Sequence, residues 1–188
     1  LPALLAVYVE FSDGGPFVPV AGPLPASSSY AWTAPTQDVA AATLRVRVAD
    51  SQGGTAADAR SFAIDATAPA ITAKVPAPGA VDVLPNASVV VTFSEPVDPV
   101  SAPVGLRAKA SGAWVPVTAT WDDPRTLRLT PTGLLREGLL YEVVANGTVR
   151  DLSVPGNRLA ATSWTFRVIA FPPSVAIVDP LPGTRWTG

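Results

Sequence analysis

The residues of this chain that could carry chemistry are carboxylates, because the sequence contains no His, no Cys and no Met. That absence excludes Ser-His and thiol catalysis, zinc sites with nitrogen or sulfur ligands, and disulfide bonds. Carboxylates can bind Ca²⁺, which prefers oxygen ligands. Asp65, Glu95, Asp98 and Asp151 fall near predicted strand ends or beside a predicted linker. We predict a Ca²⁺ site there, at a junction between two β domains, and the alternative is that these carboxylates are solvated or cap turns.

A second set of carboxylates, Asp122 and Asp123, follows Trp121 and has the residue types of a glycoside-hydrolysing pair. Adjacent residues of a strand point to opposite faces, however, and Asp-Asp-Pro124 is a sequence typical of turns. We therefore predict a turn. Because no other carboxylates cluster along the sequence, we predict that the chain is not an enzyme.

The composition and net charge exclude further classes of function. Of 188 residues, 48% are hydrophobic and 15% are charged, and 13 basic against 15 acidic side chains give a net charge of −2. We expect no nucleic acid as a partner, and no apolar run is long enough for a membrane span. The chain starts without Met and with a short apolar stretch that lacks a basic flank. We expect it to be a piece of a longer protein, and the stretch not to be a signal peptide.

The elements that must position these residues are strands. Leu44–Val48 alternates apolar side chains with Arg, which is the two-residue period of a half-buried strand. Similar runs recur at short intervals, separated by turn sequences rich in Gly, Pro, Asn and Asp, with no long helical period. The sequence therefore predicts an all-β fold with sandwich architecture. The inward side chains are predicted to be Val89, Val91, Phe93, Leu127, Leu129, Tyr141, Val143, Ala145, Trp164, Phe166 and Val168.

The chain also repeats part of itself. Phe62 and Phe166, Pro69 and Pro173, and Gly79 and Gly183 are separated by the same interval, which indicates a domain period. We predict a domain at 1–65, a Pro-containing linker at 66–69, a complete domain at 70–169, and at 170–188 a linker with the first strand of a further module.

Residues 70–169 resemble the Ig-like domains of prokaryotic S-layer and other cell-surface proteins. Tyr141 in Leu135–Tyr141 has the spacing of a tyrosine corner, in which the hydroxyl bonds back to the preceding corner. In the family, Gly-Asn directly follows the Asp that Asp151 matches, whereas here Gly156-Asn157 comes later. The other matching segments are Pro76–Val81, Val91–Asp98, Thr126–Pro131 and Val149–Leu152. The resemblance implies an Ig-like β-sandwich without implying an activity.

Residues 1–65 resemble the C-terminal part of a second Ig-like or fibronectin-III-like module of secreted prokaryotic proteins. The matching segments are Asp13–Gly15, Tyr30–Pro35, Leu44–Asp50 and Phe62–Asp65. Such modules begin with strands that this segment lacks, and residues 173–186 look like such an opening strand. The resemblance therefore implies tandem Ig-like β-sandwiches, the first one incomplete. We expect residues 173–186 either to add as a strand to another copy or to be a disordered end.

Two further kinds of surface site are predicted. Asn86 and Asn146 begin glycosylation sequons. Trp32 and Trp164 fit the inward phase of strands, whereas Trp114 and Trp121 remain candidates for stacking on sugars.

We therefore expect a non-catalytic structural or adhesive segment outside a prokaryotic cell. Its predicted partners are neighbouring Ig-like modules or other copies of the chain. The alternative is an accessory carbohydrate- or substrate-binding module of a secreted hydrolase, with a glycan as partner.

Overall fold

The computed structural model describes residues 4–25 and 29–172, and every regular element in them is a strand. The all-β prediction is confirmed. The strands are β1 (Leu4–Ser12), β2 (Val18–Leu24), β3 (Val39–Asp50), β4 (Thr55–Ile64), β5 (Ile71–Val75), β6 (Val89–Phe93), β7 (Val104–Ala108), β8 (Val117–Asp123), β9 (Thr126–Pro131), β10 (Leu140–Ala145) and β11 (Thr162–Arg167).

The chain divides into two compact units. The first unit is Leu1–Pro69 with Arg150–Arg158, and the second is Ala70–Val149 with Leu159–Gly188. Residues 150–158 thus group with the first unit, although by sequence they lie inside the predicted second domain. The predicted strand at 173–186 lies outside the described residues.

The first unit is built on one antiparallel sheet in the order β2-β1-β3-β4. The hairpin between β3 and β4 forms because the Asp50 carboxylate accepts the backbone N–H groups of Gln52 and Gly54 at 2.9 and 2.7 Å. Gly53 between them has φ of +83°, which favours a residue without a Cβ.

The two faces of this sheet differ in character. On one face, the Glu10 carboxylate lies among arginine side chains. On the other face, the Trp32 ring packs on Phe11 and Phe62, with ring centroids 5.0 and 6.3 Å apart. The prediction that Trp32 belongs to a strand is wrong, because it lies in the irregular segment before β3; it packs on the sheet from there.

The apolar face of the first unit remains partly open. Its buried cluster is small and consists, among the described residues, of Val39, Ala42 and Ile64. Val46 and Phe62 are 41% and 37% exposed. The half-burial predicted for Leu44–Val48 therefore fails at Val46, because one sheet by itself cannot enclose its own apolar face.

The second unit is a sandwich of a three-stranded sheet, β11-β10-β7, and a four-stranded sheet, β5-β6-β9-β8. Apolar side chains from both sheets meet in one core, and all the inward side chains predicted from the alternation are buried. The other buried members of this core are Val97, Val104, Leu106, Leu135, Val149 and Leu159. Alternation placed these side chains correctly because both faces of the core are present.

Two features close the ends and edges of this sandwich. The Tyr141 hydroxyl accepts the backbone N–H of Arg136 at 2.8 Å, which confirms the predicted tyrosine corner. Along the outer edge of β11, Gly79 donates to Thr165 and Val83 to Arg167 through backbone hydrogen bonds of 2.7 and 3.1 Å. The last strand of the second unit is therefore covered by the unit's own opening segment.

Candidate functional site

The residues predicted to bind a cation are best defined around Asp151, which is buried in the loop 150–158 of the first unit. One of its carboxylate oxygens accepts the Ser153 hydroxyl at 2.7 Å and the backbone N–H groups of Ser153 and Asn157, both at 3.0 Å. The Asn157 side-chain amide donates to the other carboxylate oxygen at 2.8 Å and to the Asp65 carbonyl at 3.0 Å. Asp65 and Asp151 are thus brought together through Asn157.

The sequence analysis did not predict that Asn157 bonds to Asp65 and Asp151. Although the loop between Asp151 and Asn157 is longer than in the family, the two residues still lie together, because the Asp151 N–H donates to the Asn157 carbonyl at 3.2 Å. Burial raises the pKa of Asp151, but the hydrogen bonds from Ser153 and Asn157 outweigh it and leave this pKa below its ordinary value. The carboxylate is therefore held in its charged form, which is the form that binds a cation.

The other two predicted ligands, Glu95 and Asp98, lie in the second unit, shortly after β6. Asp98 caps a turn, since its carboxylate accepts the backbone N–H of Val100 at 3.0 Å and its carbonyl accepts that of Ser101. The turn-cap alternative thus describes Asp98. Ca²⁺ binding by Asp65, Glu95, Asp98 and Asp151 stays a prediction.

The pair Asp122 and Asp123 ends β8, and the turn prediction is confirmed. Asp122 forms an ion pair with Arg128 on the neighbouring strand. The Asp123 carboxylate accepts the backbone N–H of Arg125 at 2.7 Å, and this bond, with help from Thr126, lowers the pKa of Asp123. Both carboxylates therefore have structural partners next to the turn.

Two buried glutamates form charge clusters that the sequence did not reveal. Glu142 on β10 receives Lys109 Nζ at 2.6 Å and Arg107 Nε at 2.7 Å. These bonds, that of Lys109 first, outweigh burial and lower the pKa of Glu142 from 4.5 to about 2. Glu10 on β1 is held in the same way by Arg45 and Arg47.

The signal for such clusters is only partly present in the sequence. Arg45 and Arg47 alternate with apolar residues and so share one face of β3, which indicates that a negatively charged side chain lies beside them. Which side chain this is depends on the cross-strand register, which places Glu10 directly opposite Arg45. Both clusters lie on sheet faces and stabilise strand pairing.

The tryptophans separate into packed and exposed rings. Trp164 is buried and its indole N–H donates to the Pro76 carbonyl at 3.0 Å, while Trp121 packs on Phe93. Trp114 is 60% exposed and its ring rests on Gly105, where an added Cβ would lie 2.6 Å from the ring. Of the two candidates for sugar stacking, Trp114 has the exposed face that stacking requires.

Both predicted sequons are at the surface. Asn86 lies exposed in a turn, and Asn146 is exposed just after β10, where its side-chain carbonyl accepts the Thr148 hydroxyl at 2.6 Å. The exposure makes both accessible, and their glycosylation stays a prediction.

A shallow depression of about 280 Å³ in the second unit is lined by small and apolar side chains and Asn146. Its lining, formed by residues 144–146 and 161–163, contains no titratable side chain. In the described ranges, no helix is both long and apolar enough to cross a membrane.

A family model described as a bacterial Ig-like domain matches residues 65–168, which is more than half of the chain. The chain belongs to the family of bacterial Ig-like domains. The predicted resemblance of residues 70–169 to Ig-like domains is thereby confirmed. The match covers the sandwich of the second unit together with its tyrosine corner. No curated protein sequence matches the chain at a significant level.

Solved structures similar to the chain come from several kinds of protein. The N-terminal part of the bacterial S-layer protein SbsC is 20% identical, with 55% of this chain and 24% of that chain covered and a TM-score of 0.42. CopC from Methylosinus trichosporium OB3b is 21% identical over 57% of this chain and 99% of its own, with a TM-score of 0.44. L,D-transpeptidase 3 from Mycobacterium tuberculosis is 18% identical over 53% and 37%, with a TM-score of 0.38. The chain therefore spans only about a quarter of the S-layer structure that it matches.

Proposed function

We propose that this chain is a non-catalytic structural segment of an extracellular or cell-surface protein. The observation that carries the proposal is the combination of an Ig-like core with carboxylates that are all engaged in turns and cross-strand pairs wherever the sequence offered catalytic candidates. Such a segment acts by shape and stiffness, which the buried apolar core of the second unit supplies.

The test is surface labelling of the parent organism. Antibodies raised against residues 70–169 are expected to label intact cells or the culture medium as strongly as permeabilised cells. Labelling that appears only after permeabilisation would contradict an extracellular role, whatever the chain does there.

Self-association by strand addition of residues 173–186 is part of this proposal. Its support is the internal repeat: Pro173 and Pro180 match Pro69 and Pro76, and between them Val175 and Ile177 match Ile71 and Ala73 of β5, which pairs with β6 in the second unit. Replacing Val175 and Ile177 by Pro removes two N–H donors from the added strand, so the variant is expected to lose an assembly that depends on it. The same assembly in variant and wild type would exclude this segment as the donor.

A second candidate, an accessory carbohydrate-binding module, is favoured by the exposed Trp114 ring. Its partner Arg107 lies 5.7 Å from the ring centroid, which fixes an aromatic platform beside a cation. On a glycan array, W114A is expected to lose any signal, and G105A to weaken it by displacing the ring. W121F, a change at a packed ring, serves as the control, and a signal that is unchanged in W114A would rule out this platform.

A further inference from the structure

Between Thr55 and Phe62, the outer edge of strand β4 is exposed and carries neither the Pro residues nor the register shifts that protect many sheet edges. It is the outermost strand of its sheet, and all its residues except Ile64 are exposed. It contains no Pro and no Lys, and its register with β3 runs without a shift from Phe62 to Thr55. The opposite edge strand β2 is protected by Pro19 and Pro23 and by two register irregularities.

The backbone at the centre of β4 points into this open edge. The Ala59 N–H is bonded to the Asp58 carboxylate at 2.9 Å, and the Ala59 carbonyl accepts Arg60 Nη1 at 3.1 Å. Both groups thus have side-chain partners in place of the ladder with β3. Because the Asp58 and Arg60 side chains are 75% and 81% exposed, these bonds are exchanged with solvent at little cost.

We propose that β4 pairs antiparallel with β4 of a second copy of this chain, around a two-fold axis at Ala59. The Ala59 N–H and carbonyl then bond to Ala59 of the partner subunit, and the two four-stranded sheets become one continuous sheet. Asp58 lies opposite Arg60 of the partner subunit, and by symmetry Arg60 lies opposite the partner's Asp58. The intrachain ion pair of 3.0 Å is replaced by two interchain pairs.

The charges of β4 favour this pairing register over the two registers shifted by one residue. Asp58 and Arg60 are the charged residues of β4. Moving the centre by one residue in either direction would oppose Asp58 to the partner's Asp58 or Arg60 to the partner's Arg60, which is unfavourable. In the proposed register, the remaining pairs join small or apolar side chains, with Ala57 opposite Ser61 and Ala56 opposite Phe62. The complementarity of the strand with itself identifies the occupant as a second copy.

The test is a charge-exchange experiment on the whole chain, followed by sedimentation velocity over a concentration series. Wild type is expected to reach twice the monomer mass. D58R presents two positive side chains and R60D two negative ones, so each is expected to weaken its own dimer by about tenfold or more. An equimolar mixture of the two is expected to restore the dimer, because every positive side chain then faces a negative one.

Control variants distinguish pairing through β4 from other ways in which the chain could self-associate. The double variant D58R/R60D is expected to dimerise like wild type. The variant D122R, at an exposed ion pair of the second unit, is expected to leave dimerisation unchanged. Wild type that remains monomeric at all concentrations overturns the proposal. So does an assembly that is lost in V175P/I177P and not rescued by mixing the charge variants, because its occupant is then residues 173–186. Neither outcome bears on cell-surface location, which the antibody labelling tests separately.

Discussion

The two units of this chain use similar strands but differ in what covers their apolar faces. In the second unit, two sheets enclose a core in which Phe166 and Val143 are fully buried. In the described part of the first unit, one sheet leaves Val46 and Phe62 partly exposed, with Trp32 packed over the face. Alternation thus determines which side chains share a face, whereas burial requires a second layer.

The edges of the two units differ in the same way. The internal repeat matches Phe62 on β4 with Phe166 on β11. The β11 edge is covered by backbone hydrogen bonds from Gly79 and Val83, while the outer side of β4 is exposed. Equivalent strands can therefore have different tasks, since one is a closed edge and the other is free to bind.

The largest expected difference between the units is in core truncation. F166A removes a fully buried ring that stacks on Tyr141 at 5.9 Å, and we expect a loss of about 3–5 kcal/mol in the free energy of unfolding. F62A is the matched change at a partly exposed ring and is expected to cost about 1 kcal/mol. Urea denaturation followed by circular dichroism measures both, and equal losses would contradict the contrast in packing.

A smaller difference is expected for two tyrosine hydroxyls. Y141F removes the part-buried hydrogen bond between the Arg136 N–H and the hydroxyl of the buried Tyr141, so we expect a cost of about 1–2 kcal/mol. Y30F removes an exposed hydrogen bond to the Val20 carbonyl in the first unit, and its cost is expected to stay below about 0.5 kcal/mol. If thermal melting ranks them in the reverse order, the tyrosine corner does not stabilise the second unit.

The pH dependence of stability sharpens the comparison of the two glutamate clusters. The pKa of Glu142 is lowered to about 2 in the folded unit, so its ionised form stabilises the fold. This stabilisation is complete above the ordinary pKa of 4.5 and is lost as the pH falls toward about 2. E142Q is expected to flatten the acid limb of stability against pH.

Glu10 provides the matched variant for that experiment. Its pKa is also lowered, mainly by the hydrogen bond from Arg45, but Arg47 lies farther away at 3.4 Å. We expect E10Q to flatten the acid limb less than E142Q. Urea midpoints measured at a series of acidic pH values compare the two, and identical profiles in both variants and wild type would mean that neither cluster controls acid stability.

The smallest expected effect is that of Ca²⁺. If Asp65 and Asp151 act as ligands, calorimetry is expected to show binding heat that disappears with a chelator and in D151N. D13N, a change at an exposed carboxylate of a turn, is the control. Heat that persists in D151N, or none in wild type, would leave Asp151 with a purely structural role.

Local chemistry explains what could be predicted from the sequence. The inward residues of the second unit, the turn at Asp123 and the tyrosine corner at Tyr141 depend on period, turn propensity and short spacing, and all three predictions are confirmed. The partners of Glu10 and Glu142 could not be predicted, since each cluster joins residues far apart in sequence through strand register. The grouping of residues 150–158 with the first unit was also out of reach, because it brings Asn157 to Asp65, 92 residues away in sequence.

The sequence by itself determined two things about this protein: its two-residue periods indicate strands, and the lack of His, Cys and Met excludes thiol and imidazole chemistry and zinc sites with nitrogen or sulfur ligands. The tertiary structure decided which faces and edges are closed. That division follows from physics, because propensity and alternation act between near neighbours along the chain. Register, layer packing and the exposure of the β4 edge depend on contacts between residues far apart in sequence.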